Sequence, residues 1–341
     1  MLRAWGAVVV ALIAATSLLG CASPGSAPAE AAEPWLEWRA SLGREHPLSG
    51  RVFDSAEQRF ITPALALELA ARADFVLLGE RHDHPDHHRL QAWLIEGIVR
   101  AGRRPAVAFE MIARDRAEAL AAARSDHPSD PDALATALDW ARSGWPDFAL
   151  YRPVFAAALA AQLPILPADL ARSDLAQIRK GGIAALPATE RERLAIDPPL
   201  PDGLRQELAE EVRSSHCGMA PEPMVDAMIE LQRARDAALA DALLAAPGNE
   251  GAVLIAGAGH VRSDRAVPLY LARRAPGRSV LALGLAEVPA DDASTEDLER
   301  VAAQRRPGLD LIWFTPRVDD EDPCERFRDQ LEKLRTQPER N

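Results

Sequence analysis

The chain has 341 residues, 48% hydrophobic and 26% charged, enough for one large domain or two small ones with a true core. Its net charge of −12 argues against a nucleic-acid backbone as partner. Lys180 and Lys333 are the only lysines among 39 basic residues, a bias that points to base composition rather than to an arginine-specific function.

Residues 1–20 read as a signal peptide. Arg3 supplies a short positive start, and Trp5 to Leu19 an apolar run too short to span a membrane comfortably. Leu18-Leu19-Gly20-Cys21 has the form of a bacterial lipobox, so Cys21 is the expected lipidated residue. Residues 21–34, rich in Ala, Pro, Ser and Gly, are an expected flexible tether. Under this reading the body hangs from the membrane by acyl chains alone. Ala22, rather than Asp, after the cysteine directs the expectation to the outer membrane, facing the periplasm or the surface.

The body is expected over residues 35–315. A short helix is expected from Trp35 to Leu48, and a hairpin or edge strand from Arg51 to Ile61. Thr62-Pro63, Pro85 and Asp130-Pro131 each open a helix, with a capping residue or a first-turn proline. Strands are expected at Phe75–Gly79, Ala106–Glu110, Leu163–Leu166, Ala252–Ala256, Val280–Leu285 and Leu311–Phe314. Short apolar runs between helical segments mark strands buried on both faces. Residues 172–245 are more polar and helical, broken by Gly181-Gly182 and Pro198-Pro199-Leu200-Pro201, and read as a helical insertion or lid over the strand ends. Within it Pro223 opens a long helix, with Met224, Met228, Leu231, Ala238 and Ala242 on one face. Residues 316–341 form a charged tail expected to fray. The alternation predicts an α/β fold: a mainly parallel, doubly wound sheet flanked by helices. Cys217 and Cys324 either pair or remain free buried thiols.

Two strands end on the same Gly-x-x-His pattern, Gly79-Glu80-Arg81-His82 and Gly257-Ala258-Gly259-His260. Ligands of open α/β sheets sit beyond such carboxyl ends. Glu110 and Asp169 end two further strands, and Arg81 and Arg262 flank the histidines. Glu80, His82, Glu110 and His260 together supply the oxygen and imidazole donors that a divalent metal requires. They equally supply a histidine oriented by a carboxylate, as acid–base catalysis requires. His84, His87 and His88 crowd a helix start, with His84 and His88 four apart on one face. His216 lies in the expected lid. Gln232 and Asp236 share a face of the long helix. Trp140, Trp145, Phe148 and Tyr151 form an aromatic segment, either a stacking wall or plain packing.

In this order the motifs resemble the ChaN-like family of haem-uptake lipoproteins, in the Tiki/TraB/ChaN group. The resemblance rests on Leu78–His82, His87–Gln91, Phe109-Glu110-Met111, Ser143–Pro146 with Tyr151-Arg152-Pro153, His216-Cys217-Gly218, Gln232–Asp236 and Gly257–Arg262. It implies an envelope protein that binds haem and serves iron uptake, with Tyr151, His87, His88 and Trp145 as candidate haem-binding residues. It also implies kinship with erythromycin-esterase-like proteins, and so the alternative of a metal-dependent or His/Glu-assisted hydrolase using Glu80, His82, Glu110 and His260. A catalytically inactive scaffold is the third reading. The resemblance leaves a homodimer open.

Overall fold

The computed structural model describes residues 33–290, 298–305, 308–322, 324, 325 and 328; the expected signal peptide, Cys21 and most of the tether lie outside them. Eight strands form one sheet: β1 (Val52–Asp54), β2 (Arg59–Ile61), β3 (Phe75–Glu80), β4 (Ala106–Ala113), β5 (Ile165–Asp169), β6 (Ala252–Gly257), β7 (Val280–Glu287) and β8 (Leu311–Thr315). Their order is β2-β1-β8-β7-β3-β6-β4-β5. The short β1 pairs antiparallel with β2 and β8, and every other neighbouring pair is parallel. The α-helices are α1 (Pro63–Arg72), α2 (Pro85–Arg100), α3 (Ala117–Asp126), α4 (Pro131–Ala137), α5 (Phe148–Ala160), α6 (Arg172–Gly181), α7 (Ala188–Leu194), α8 (Asp202–Ser215), α9 (Glu222–Leu244), α10 (Val267–Arg274) and α11 (Leu298–Arg305). The expected mainly parallel α/β sheet is the observed one.

The central strands β3 and β6 are buried along their whole length, which requires helices on both sides. Side chains alternate between the two faces. Phe75, Leu77, Ala252, Leu254, Ala106 and Ala108 pack into one core with Ala234, Ala237 and Ala238 of α9. On the other face Phe109 stacks on Phe155 of α5 at 4.2 Å, and α5 packs on α2.

Four expectations change. Trp35–Leu48 is not a helix: a single 3-10 turn, Pro34–Leu36, gives way to bends and turns. Its amides are used elsewhere, for the buried Asp86 carboxylate accepts from Arg39 and Ala40 N–H. The strand expected at Leu163–Leu166 lies two residues later, so Asp169 is its last residue. Within the expected lid, α9 is a crossover helix that packs on β4, β5 and β6, and the segment lining the cleft is Leu200 with α8. The buried stripe of α9 begins with Val225 and Ile229; Met224 is 40% exposed, and Met228 and Leu231 face clefts.

The start of the tail is tied down. Arg317 bridges to Leu42, and Val318 N–H donates to Glu287. Cys324 is joined to Cys217 at the end of α8 by a disulfide spanning 107 residues. A cross-link that closes so long a loop restricts the unfolded chain, so reduction is expected to cost about 2–4 kcal/mol. Thermal unfolding with and without reductant checks this: Tm falls on reduction, and a Cys217→Ser variant no longer responds.

Candidate functional site

The two Gly-x-x-His motifs lie side by side. Strands β3 and β6 are neighbours, with Gly79 opposite Ala256 and Glu80 opposite Gly257. Each glycine makes room for the other motif. A Cβ on Gly79 would lie 2.4 Å from Val261 Cγ2 and 3.0 Å from Ala258 Cα, in the turn after Gly257. A Cβ on Gly257 would lie 2.9 Å from His82 Nε2 and 3.1 Å from its Cε1. Gly257→Ala is therefore expected to push the His82 ring out of place. Ligand binding or turnover should fall at least about tenfold, a loss of about 1.4 kcal/mol, while Tm moves little because that ring is half-exposed.

Glu80 is buried at the end of β3 and gathers four donors. They are Gln91 Nε2 at 2.7 Å, Tyr151 Oη at 2.9 Å, His82 Nδ1 at 3.0 Å and His88 Nδ1 at 3.1 Å. Burial opposes its charge, but His88 and His82 outweigh it and hold the carboxyl below its ordinary range. His88 also donates from Nε2 to the His82 carbonyl. Burial works against its proton too, yet Glu80 raises its pKa above the usual histidine value.

Three of the expected haem-binding residues, Tyr151, His88 and His87, have partners within the protein. Tyr151 and His88 are fully buried and serve Glu80. Burial and the Glu80 carboxylate push the Tyr151 phenol far up, so it is a hydrogen-bond donor and not a phenolate. His87 is also fully buried; its Nδ1 accepts from Arg81 N–H and its Nε2 meets Thr315 Oγ1. His84 does not share an open face with His88. It caps α2, stacks on His87 at 3.8 Å and donates to the Pro316 carbonyl at 2.8 Å.

The second motif builds a matching network. Glu110, the first residue of β4 beyond its pairing with β6, accepts from Gly257 N–H and Arg235 at 2.7 Å each, and lies 3.4 Å from His260 Nε2. His260 Nδ1 donates to Asp236 at 2.6 Å, with the Gln232 amide 3.0 Å away. Arg235 also clamps Asp169 with both nitrogens. Burial disfavours the imidazolium, but Glu110 and Asp236 on either side raise the His260 pKa to about 10. Burial likewise opposes ionised Glu110, whereas His260 and Arg235 hold it well below the carboxylate range. The site is thus ionised at neutral pH and compensated within itself.

His82 is the member left accessible. Its side chain is 34% exposed. Nδ1 donates to Glu80, so Nε2 is directed to the space over Gly257, with the Trp145 ring 4.9 Å away edge-on. Burial lowers its pKa, and Glu80 with Glu110 raises it more, for a net upward shift.

A cavity of about 610 Å³ opens over these groups. His82, Glu110, His260 and Arg235 line one side, and Leu200, Leu204, Leu208, Val212 and Leu269 the other. A second cleft of about 430 Å³ shares Glu110, Trp145, Met228, Gln232 and Arg235 with it. Among the described residues no three His, Cys, Asp or Glu side chains are arranged to hold a metal ion. The four expected metal donors, Glu80, His82, Glu110 and His260, are instead bonded to one another, to Asp236 and to Arg235.

Two expected supporting residues stand apart. His216 bonds back to the Val212 carbonyl at the end of α8, and Arg262 pairs with Asp264. Arg81 sits at the rim, held by Asp83, Glu287 and Asp319. Gln91 and Arg235 were not among the expected site residues. An arginine in the alanine-rich buried half of α9, and a glutamine three residues after His88 on α2, were the available signals.

Among curated protein sequences none matches the chain. Among solved structures it is similar to the ChaN of Campylobacter jejuni described with cofacial haem binding, at 22% identity and a TM-score of 0.60, over 77% of this chain and 95% of that one. It is also similar to the erythromycin esterase EreC in its open conformation, at 14% identity and a TM-score of 0.43, over 80% of this chain and 99% of that one. Residues 66–271 match the family described as haem-binding uptake, Tiki superfamily, ChaN. The chain belongs to this ChaN haem-binding uptake family.

Proposed function

We propose that the protein is a haem-binding lipoprotein of the bacterial envelope, anchored through Cys21 at the outer membrane, that takes up or relays haem. The observation that carries this reading is the two-sided cavity, whose leucine-rich wall faces an ionised floor with one accessible imidazole. A tetrapyrrole needs an apolar wall for its faces and a neutral nitrogen for its iron. His82 supplies the nitrogen: its Nδ1–H donates to Glu80, which fixes the tautomer and directs the Nε2 lone pair outward. Trp145 beside it offers a flat surface to the ring. The Cys217–Cys324 disulfide supports an oxidising compartment.

The test is a hemin titration of the full chain carrying Cys21→Ser, read by Soret absorbance. A saturable shift is expected, and its stoichiometry separates one haem per chain from a cofacial pair of the kind described for the Campylobacter jejuni protein. A linear, unsaturable rise removes the reading. Palmitate labelling of the wild-type chain, lost in Cys21→Ser, tests the anchor.

A specific observation favours a second reading, hydrolysis. Two histidine–carboxylate pairs, His82–Glu80 and His260–Asp236, flank Glu110 under one cavity. His82 can then act as general base toward water, while protonated His260 and Arg235 stabilise developing negative charge. Ester hydrolysis that tracks His82 supports it.

A further inference from the structure

One end of the cavity holds two buried side-chain donors left unsatisfied among the described residues. Tyr270, on α10, is 1% exposed, and Arg233, on α9, is 8% exposed; both line the cavity. Tyr270 Oη and Arg233 Nε are buried and have no hydrogen-bond partner among the described residues. Buried polar groups are nearly always paired, and an orphan costs stability unless a ligand pairs it. The rest of the Arg233 guanidinium is fixed: NH1 bonds Glu230, and NH2 bonds the carbonyls of Ile196 and Pro198 at 2.9 Å each. Its Nε–H is therefore held in place, with no acceptor in hydrogen-bond geometry among the described residues. The phenol lies against Asp236 and the Arg233 side chain; burial first and then Asp236 push its pKa up to about 12, outweighing the opposite pull of the adjacent Arg233, so the hydroxyl keeps its proton at neutral pH. Asp236 is committed to His260 and Glu230 to Arg233, so neither carboxylate meets the two donors.

We infer that Tyr270 Oη and Arg233 Nε form a subsite that receives a carboxylate of the bound ligand, at the edge of the cavity floor beside the Asp236–His260 pair. A guanidinium N–H can only donate and the protonated phenol has its O–H to donate, so an anionic acceptor between them satisfies both at once. On the haem reading, on which this inference rests, the carboxylate is a porphyrin propionate. A small carboxylic acid is the other source of the same chemistry.

Tyr270→Phe tests it, because the change deletes an unpartnered hydroxyl and leaves the packing intact. The full chain with Cys21→Ser is titrated with hemin and with hemin dimethyl ester, whose propionates are blocked. The parent is expected to prefer hemin by about tenfold, and Tyr270→Phe to lose most of that preference by weakening hemin alone. An unchanged preference in Tyr270→Phe, or none in the parent, overturns the subsite. If neither porphyrin binds, the haem reading fails by itself, and the subsite is judged by thermal shift with benzoate against benzamide. A benzoate-specific rise in Tm that Tyr270→Phe abolishes supports it; no such rise, or one kept in the variant, overturns it.

Discussion

Replacing Glu80 by alanine is expected to destabilise the protein by about 3–5 kcal/mol, because it breaks a buried charge network from one side. Four donors converge on that carboxylate, one from the turn after β3, two from α2 and one from α5. Its removal takes the counter-charge from buried His88, and takes their carboxylate acceptor from the Tyr151 hydroxyl and one Gln91 amide hydrogen. For a body of this size that is a fall in Tm on the order of 10 °C. Glu80→Gln keeps the shape but not the charge, and is expected to cost less. Differential scanning calorimetry of the three proteins checks the order; equal Tm values would mean that Glu80 does not hold the sheet end together. The same ionised groups fix the pH profile. Glu80 and Glu110 have lowered folded-state pKa values, so the stability they supply is present above the unfolded carboxylate range and is lost as the pH falls through the folded values. His260 is raised, from 6.5 to about 10, so its contribution is full below 6.5 and is lost as the pH rises toward 10. Stability should therefore decline on both the acid and the alkaline side, with the alkaline loss reduced in a His260→Gln variant to the part that His82 and His88, also raised, contribute.

The part of this site that could be read from sequence is the part that strand ends determine. An apolar run followed by an ionisable side chain, closed by glycine in the two histidine motifs, locates Glu80, His82, Glu110 and His260 at one edge of a parallel sheet, whatever the strand order. The interlocking of the two glycines could not be read, since it depends on β3 and β6 being neighbours although they are far apart in the chain. The histidine cluster misled for a related reason. Spacing puts His84 and His88 on one helix face, but Thr315 at the end of β8 and Pro316 after it cover that helix start. The turn after Trp35 depends on the carboxylate of Asp86, 46 residues beyond Ala40. Arg235 matters because β4 and β5 bring Glu110 and Asp169 together under α9. Local patterning thus exposes donors and strand ends, while partners supplied by distant elements decide which donors remain free.

His82→Ala is expected to reduce ligand binding or turnover at least about a hundredfold while the protein stays folded. The ring is half-exposed, and Glu80 keeps three of its four donors without it. The variant therefore separates function from folding in a way that Glu80 variants cannot. It also separates the two readings. As an iron donor, His82 acts through an unprotonated Nε2, and its raised pKa means that a proton competes for that nitrogen to higher pH than in a free histidine. Hemin affinity should then rise with pH, through a midpoint above 6.5, and added imidazole should restore the Soret shift of His82→Ala. As a general base, His82 would give a rate with the same midpoint, but ester hydrolysis would be measurable without hemin. A His82→Ala protein that binds hemin with unchanged affinity and spectrum would take this imidazole out of the haem site. One that also retains full esterase activity would take the strand-end cluster out of both.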